Sequence, residues 1–253
     1  MKLQGNARFE ARSFQEAIKL YSKAITLDST QPSFYANRAA AWLMVGAPNE
    51  ALKDCDAALR IDPKHVRSIL RLAKALLDMG KLPEALEHLR AAAERVPEAY
   101  ELAQEFARVD SLCSAFFQAV AAYEGEAKNM DEENFSFLPE PLSKVPKVAK
   151  AAKVERDYEL ALQLFQDIEN SASSVVMQLW VAKAAVMCAQ CDKAITLTLR
   201  ILKKDDKNSE ALWVRGRALF FSGDIDQGVK HLRECLRQEP SYTSTVRPHT
   251  RVA

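Results

Sequence analysis

The sequence predicts an all-α protein, built as a superhelix of stacked antiparallel helix pairs. Three observations support this fold class. Alanine, leucine, lysine and glutamate dominate the 253-residue chain, which has only seven glycines, and this composition favours helix. Apolar residues recur at helical spacing, and alternating β-branched runs are few. Small residues recur every 34 positions, a period typical of stacked helix-pair repeats.

The period of 34 residues is carried by three independent series of small residues. The series are Gly5, Ala39, Ala73; Ala17, Ala51, Ala85; and Ala24, Ala58, Ala92. The second half continues at intervals of 33 and 34 residues through Ala149, Ala182, Gly216 and through Ala161, Ala194, Gly228. Small side chains let two helices approach closely, and pairs that cannot bury an apolar face alone stack on each other. We place repeats at residues 1–29, 30–63, 64–97, 142–173, 175–206 and 209–240.

A long helix is predicted between the two sets of repeats, over residues 98–127. Apolar residues recur at helical spacing through it: Leu102, Phe106, Val109, Leu112, Phe116 and Val120. We expect this helix to cover the open end of the third repeat. The predicted organisation is three repeats over 1–97, this helix, an exposed proline-rich and acidic linker over 128–144, three further repeats over 145–240, and an irregular tail over 241–253. Docking of the acidic run elsewhere is the alternative.

Charge and cysteine content exclude some classes of partner. Thirty-five basic residues balance thirty-four acidic ones, which argues against bulk binding of nucleic acid or an anionic membrane. The longest apolar run is too short to span a bilayer. Five cysteines without framework spacing suit a reducing cytosol. We therefore expect a cytoplasmic protein, with a nuclear location left open.

Polar residues of the first helix in each repeat define a candidate site. On a helical wheel, four positions opposite the packed face form one arc, which lines the concave groove of a superhelix. In repeats one to three this arc carries Lys2, Asn6, Asn37, Arg67 and Arg71, with no carboxylate expected beside them. Cations and amides in this set suit the paired carboxylates of a chain-terminal aspartate. The alternative is a set of polar residues that only solvates the helices.

The segments KLQGN, NRAA and RSILR resemble the first helices of carboxylate-clamp tetratricopeptide domains, which hold the acidic EEVD tails of cytosolic Hsp70 and Hsp90. The resemblance implies that these five residues are the clamp, with Arg67 where lysine is commoner. Phe9, Ala40 and Leu43 are then expected to contact apolar residues upstream in the tail.

The longer layout is similar to the tetratricopeptide-containing DnaJ co-chaperones of the subfamily C member 7 type. No His-Pro-Asp triplet, the signature of the J domain, occurs in the chain. The resemblance therefore implies a co-chaperone adaptor that binds Hsp70 or Hsp90 tails without stimulating the Hsp70 ATPase. A general scaffold that binds another peptide, with no link to chaperones, is the alternative.

The later repeats lack the clamp pattern. Trp180 and Trp213 occupy groove positions there and predict a second protein-binding surface, with packing between repeats as the alternative. Cys188 and Cys191 form a lone C-x-x-C, which is weak support for a zinc or redox site. We find no catalytic constellation and no phosphate-binding loop, and we expect no cofactor, no metal and no enzyme activity.

Overall fold

The computed structural model of the chain describes residues 1–124 and 156–240. Within these ranges it has twelve α-helices and no strand, which confirms the all-α prediction. The helices are α1 (Lys2–Glu10), α2 (Phe14–Leu27), α3 (Pro32–Met44), α4 (Pro48–Ile61), α5 (Val66–Asp78), α6 (Leu82–Arg95), α7 (Tyr100–Glu124), α8 (Tyr158–Ser171), α9 (Val175–Met187), α10 (Cys191–Leu202), α11 (Ser209–Ser222) and α12 (Ile225–Gln238).

The helices stack as pairs. From α1 to α6 and from α8 to α12, each helix packs on the next in the chain. The first helices of neighbouring pairs also contact each other, α1 with α3, α3 with α5, and α9 with α11. Side chains from α1, α3 and α5 are therefore brought to one face of the stack.

The periodic small residues lie at the contacts between helices. Ala17, Ala51 and Ala85 are fully buried, and so are Ala39 and Ala73. Within α1 only glycine fits at position 5, because a Cβ atom on Gly5 would lie 2.6 Å from the Cε1 atom of Tyr21 on α2. The repeat period thus indicates the positions at which one helix backbone must come close to another.

The chain divides into two compact units, Met1–Ser114 and Ala115–Ala253, so α7 contributes to both. In the first unit, Leu102 and Val109 of α7 are fully buried, and the guanidinium of Arg90 on α6 lies 5.9 Å from the ring centroid of Phe106. The end of the predicted helix at 125–127, the predicted linker 128–144, residues 145–155 and the predicted tail 241–253 lie outside the described residues. The boundaries proposed for these segments stay predictions.

The side chain of Arg38 connects three helices of the first unit through an ion pair and a hydrogen bond. Arg38 on α3 donates from Nε and Nη2 to the two carboxylate oxygens of Asp54 on α4, at 2.8 and 2.6 Å. Its Nη1 donates to the hydroxyl of Ser22 on α2 at 2.8 Å. Asp54 is almost fully buried, and both of its oxygens are satisfied by the guanidinium fork. The ion pair thus joins the two helices of the second repeat, and the hydrogen bond to Ser22 connects the second repeat to the first.

Candidate functional site

An open pocket lies in the first unit, where α1, α3 and α5 run side by side. It is lined by Asn6, Phe9, Glu10, Tyr21, Asn37, Ala40, Arg67 and Arg71. The structure therefore brings together four of the five residues predicted from the helical wheel, and two of the three predicted apolar contacts. Two guanidiniums and two carboxamides in one pocket form an anion-attracting site.

A chain of hydrogen bonds runs across the pocket. The hydroxyl of Tyr21 donates to Asn6 Oδ1 at 2.8 Å, and Asn37 Nδ2 donates to the same oxygen at 3.1 Å. Arg71 Nη1 donates to Asn37 Oδ1 over a longer distance of 3.5 Å. The four side chains come from α2, α1, α3 and α5, so the chain connects three successive repeats.

The pocket holds positive charge that no described carboxylate pairs with. Arg67 is exposed and Arg71 is half-buried, and neither guanidinium forms an ion pair within residues 1–124 and 156–240. Burial lowers the pKa of Arg71 and the charge of Arg67 lowers it further, with partial compensation from Cys55 and Tyr21. Because Arg71 has lost part of its hydration, an anion in the pocket would recover an interaction that the folding of the chain removed.

His65 lies beside the pocket at the start of α5, where its Nδ1 is 2.8 Å from the hydroxyl oxygen of Ser68. Burial lowers the pKa of His65, and the positive charges of Arg71, Arg67 and Lys2 lower it further, while Asp62 opposes them. The imidazole thus responds to the same positive field that an anionic ligand would meet.

Two predicted residues do not line the pocket. Lys2 donates from Nζ to the Ser33 hydroxyl at 3.2 Å, and this nitrogen lies 5.8 Å from the ring centroid of Phe34. Its ammonium is therefore held at the start of α3, although its charge still acts on His65. Leu43 is half-buried on α3 and is not among the lining residues.

Two lining residues, Glu10 and Tyr21, were not predicted from the helical wheel. Glu10 follows Asn6 by four residues, which is one helical turn, so the expectation of a groove without a carboxylate was wrong. This spacing places Glu10 on the same face of α1 as Asn6. Tyr21 comes from the second helix of the repeat, which a wheel of first helices cannot place.

In the second unit, several aromatic side chains pack around Trp180. The ring of Trp180 stacks on Phe165 at 5.1 Å between centroids and meets Phe116 and Tyr123 edge-on at 6.1 and 5.7 Å. Lys183 Nζ lies 4.7 Å from the Trp180 ring and forms an ion pair with Glu210. Trp180 is half-buried, so much of its surface already serves the core of this unit.

Trp213 is also half-buried and packs against the same core. The guanidinium of Arg217 lies 4.6 Å from its ring centroid. Both tryptophans thus have packing roles, and the protein-binding surface inferred for them stays a prediction.

Within the described ranges, no group of His, Cys, Asp or Glu side chains could hold a metal ion. All five cysteines are free thiols, and Cys188 and Cys191 are half-buried. None of the helices from α1 to α12 combines the length and apolar character needed to cross a bilayer.

The fold and pocket define a helical-repeat protein with an anion-attracting groove. Three models of the tetratricopeptide repeat match the chain, over residues 5–46, 43–107 and 209–242. The crystal structure of the P58(IPK) TPR domain is similar with a TM-score of 0.61, at 13% identity, over 94% of this chain and 59% of that one. The chain is therefore a tetratricopeptide-repeat protein, as the period predicted.

Curated relatives extend the similarity. The chain is 27% identical to human DnaJ homolog subfamily C member 7 over 242 residues, which are 95% of this chain and 43% of the relative. It is 37% identical over 99 residues to the Hsp70/Hsp90 co-chaperone CNS1 of Saccharomyces cerevisiae, which are 38% of this chain and 26% of the relative. The chain thus spans less than half the length of either relative.

Proposed function

We propose that this protein is a non-catalytic, cytoplasmic co-chaperone adaptor whose pocket binds the acidic EEVD tails of Hsp70 and Hsp90. The observation that carries the proposal is the pocket itself. The pocket contains the guanidiniums of Arg67 and Arg71 and the carboxamides of Asn6 and Asn37. No described carboxylate forms an ion pair with either guanidinium. A terminal aspartate offers two carboxylates close together, and these can accept hydrogen bonds from the two guanidiniums and the two carboxamides.

The expected affinity follows from the kind of bond that the pocket can make. Charge-assisted hydrogen bonds contribute about 1.5–3 kcal/mol each. Ordering an extended peptide and its side chains removes a large part of that gain. Micromolar binding, roughly −8 kcal/mol, is the expected net result.

The relatives support this assignment without deciding it. The yeast relative is by its name an Hsp70/Hsp90 co-chaperone, and the human relative is by its name a DnaJ homologue. Neither name says which pocket residues bind a tail. The clamp in this chain, the choice between Hsp70 and Hsp90, and a second partner for the later repeats are therefore parts of the proposal.

Calorimetry with a peptide ending in Glu-Glu-Val-Asp tests the proposal. We expect micromolar binding of the peptide with a free terminal carboxylate and a large loss when that carboxylate is amidated. Equal binding of both peptides would reject the clamp. A general peptide scaffold, the alternative function, would show no such preference, and Hsp70 and Hsp90 would not dominate what the protein captures from cytosol.

Arg71→Ala should abolish this binding while the helical circular dichroism signal stays unchanged, because the side chain lines the pocket and forms no ion pair with a described residue. Arg8→Ala is the matched control. It also removes one positive charge from the first unit, but Arg8 pairs with Glu16 outside the pocket. Equal loss of binding in both variants would mean that net charge, and not the pocket, attracts the peptide.

A further inference from the structure

The hydrogen-bond chain across the pocket has a direction, and that direction determines what the pocket offers to a ligand. Arginine can only donate, so Arg71 fixes Oδ1 of Asn37 as the acceptor at that end. Asn37 then donates from Nδ2 to Asn6, and Asn6 must accept this hydrogen bond with Oδ1. The donor-only guanidinium therefore sets the orientation of both carboxamides.

Tyr21 closes the chain at the other end. Its hydroxyl donates to the same Oδ1 of Asn6, which accepts two hydrogen bonds and so has both lone pairs engaged. Tyr21 is almost fully buried, and burial is the main cause that raises the pKa of its hydroxyl, so the donor stays protonated at neutral pH. No described residue accepts a hydrogen bond from Asn6 Nδ2, which leaves that group for a ligand.

We propose that Tyr21 is a positioning residue of this pocket, which holds the Asn6 carboxamide with its N–H donors toward a bound carboxylate. The inference rests on the proposed function for the identity of the ligand. A reversed Asn6 would present an oxygen lone pair to the carboxylate, which repels it. The hydroxyl of Tyr21 thus contributes to peptide affinity through Asn6.

A double-mutant cycle tests this role. Affinity for the peptide ending in Glu-Glu-Val-Asp is measured for the wild type, Tyr21→Phe, Asn6→Ala and the double variant. Phenylalanine keeps the ring against Gly5 and removes only the hydroxyl. We expect Tyr21→Phe to weaken binding about 3- to 10-fold, the value of one hydrogen bond, in the wild type and to have no effect in the Asn6→Ala background. Equal weakening in both backgrounds would overturn the role, because a general loss of structure does not depend on Asn6.

The free protein provides a measurement that needs no peptide. The side-chain amide signals of Asn6, assigned by their absence in Asn6→Ala, should shift in Tyr21→Phe relative to the wild type, because the carboxamide loses a hydrogen bond at Oδ1. Tyr35→Phe, which removes the hydroxyl of a half-buried tyrosine of α3 outside the pocket, should leave them unchanged. Unchanged Asn6 signals in Tyr21→Phe would overturn the positioning role even if the peptide binds. Absence of peptide binding to the wild type would instead contradict the proposed function, and the amide signals would still decide the role of Tyr21.

Discussion

Glu10 limits how strongly the pocket can attract an acidic peptide. Its exposed carboxylate lines the same pocket as Arg67 and Arg71 without forming an ion pair with either. Its charge reaches the hydroxyl of Tyr21, where it is one of the causes that raise the pKa. An acidic ligand therefore meets two guanidiniums and one opposing carboxylate, and the balance between them tunes affinity.

Glu10→Gln should strengthen binding of the free-carboxylate peptide about two- to fivefold at low salt, since exposed charge interactions have this magnitude. The gain should shrink as ionic strength rises, because salt screens exposed charges. Glu87→Gln, an equal charge change at an exposed position of α6, is the control and should have no effect. Weaker binding of Glu10→Gln would show that Glu10 contacts a donor on the peptide.

The parts of the site that the sequence predicted are those that repeat. Asn6, Asn37, Arg67 and Arg71 were found because one helical wheel applies to every first helix in the stack. Tyr21 was not predicted as a site residue because its contact with α1 depends on how α1 and α2 pack together. The helical wheel of a single helix does not describe that packing. The hydrogen bond of Lys2 to Ser33 likewise depends on the packing of α3 beside α1.

At the scale of the helices, glycines mark where two backbones come closest. In the last repeat, a Cβ atom on Gly228 of α12 would lie 2.9 Å from both the carbonyl oxygen of Gly216 and the backbone nitrogen of Phe220. These are backbone atoms of α11, so no rotamer change can relieve the overlap. The repeat period predicted small residues here, and the structure supplies the reason for them.

Gly228→Ala should destabilise the second unit by about 1–3 kcal/mol, because the two helices must separate to admit the methyl group. This cost is opposed by the higher helix propensity of alanine, about 1 kcal/mol. Denaturant unfolding followed by circular dichroism measures the net effect. Gln227→Ala, an exposed neighbour on α12, is the control for propensity alone. A net gain in stability for Gly228→Ala would mean that α11 and α12 are not in tight contact.

For the whole molecule, the local distribution of charge determines where an anion is attracted more than the net charge does. The chain carries a formal charge of only +1, yet the pocket concentrates Arg67 and Arg71 on one face of the first unit. Among the residues that the structure describes, each unit has one half-buried histidine, His65 in the first and His231 in the second. These two side chains report separately on the electrostatics of the two units.

Both histidines should make the folded chain less stable in mild acid. Burial is the main cause that lowers the pKa of His231, with further lowering by Arg215 and Lys230, and burial likewise lowers that of His65. The unfolded chain then binds protons at a higher pH than the folded chain does. The stabilising contribution is present above the unfolded pKa of 6.5 and is lost as pH falls through the lower folded values.

Peptide binding should change only one of these titrations. Carboxylates in the pocket would offset the charges of Arg71 and Arg67 that lower the pKa of His65, so the bound peptide should raise that pKa toward 6.5. His231 faces Arg215 and Lys230 in the other unit and should titrate as before. Proton NMR of the two imidazole rings, with and without the peptide ending in Glu-Glu-Val-Asp, measures both in one sample. A pKa of His65 that falls or stays constant on binding would place the acidic tail outside the pocket, and an equal rise at both histidines would indicate unspecific binding over the surface.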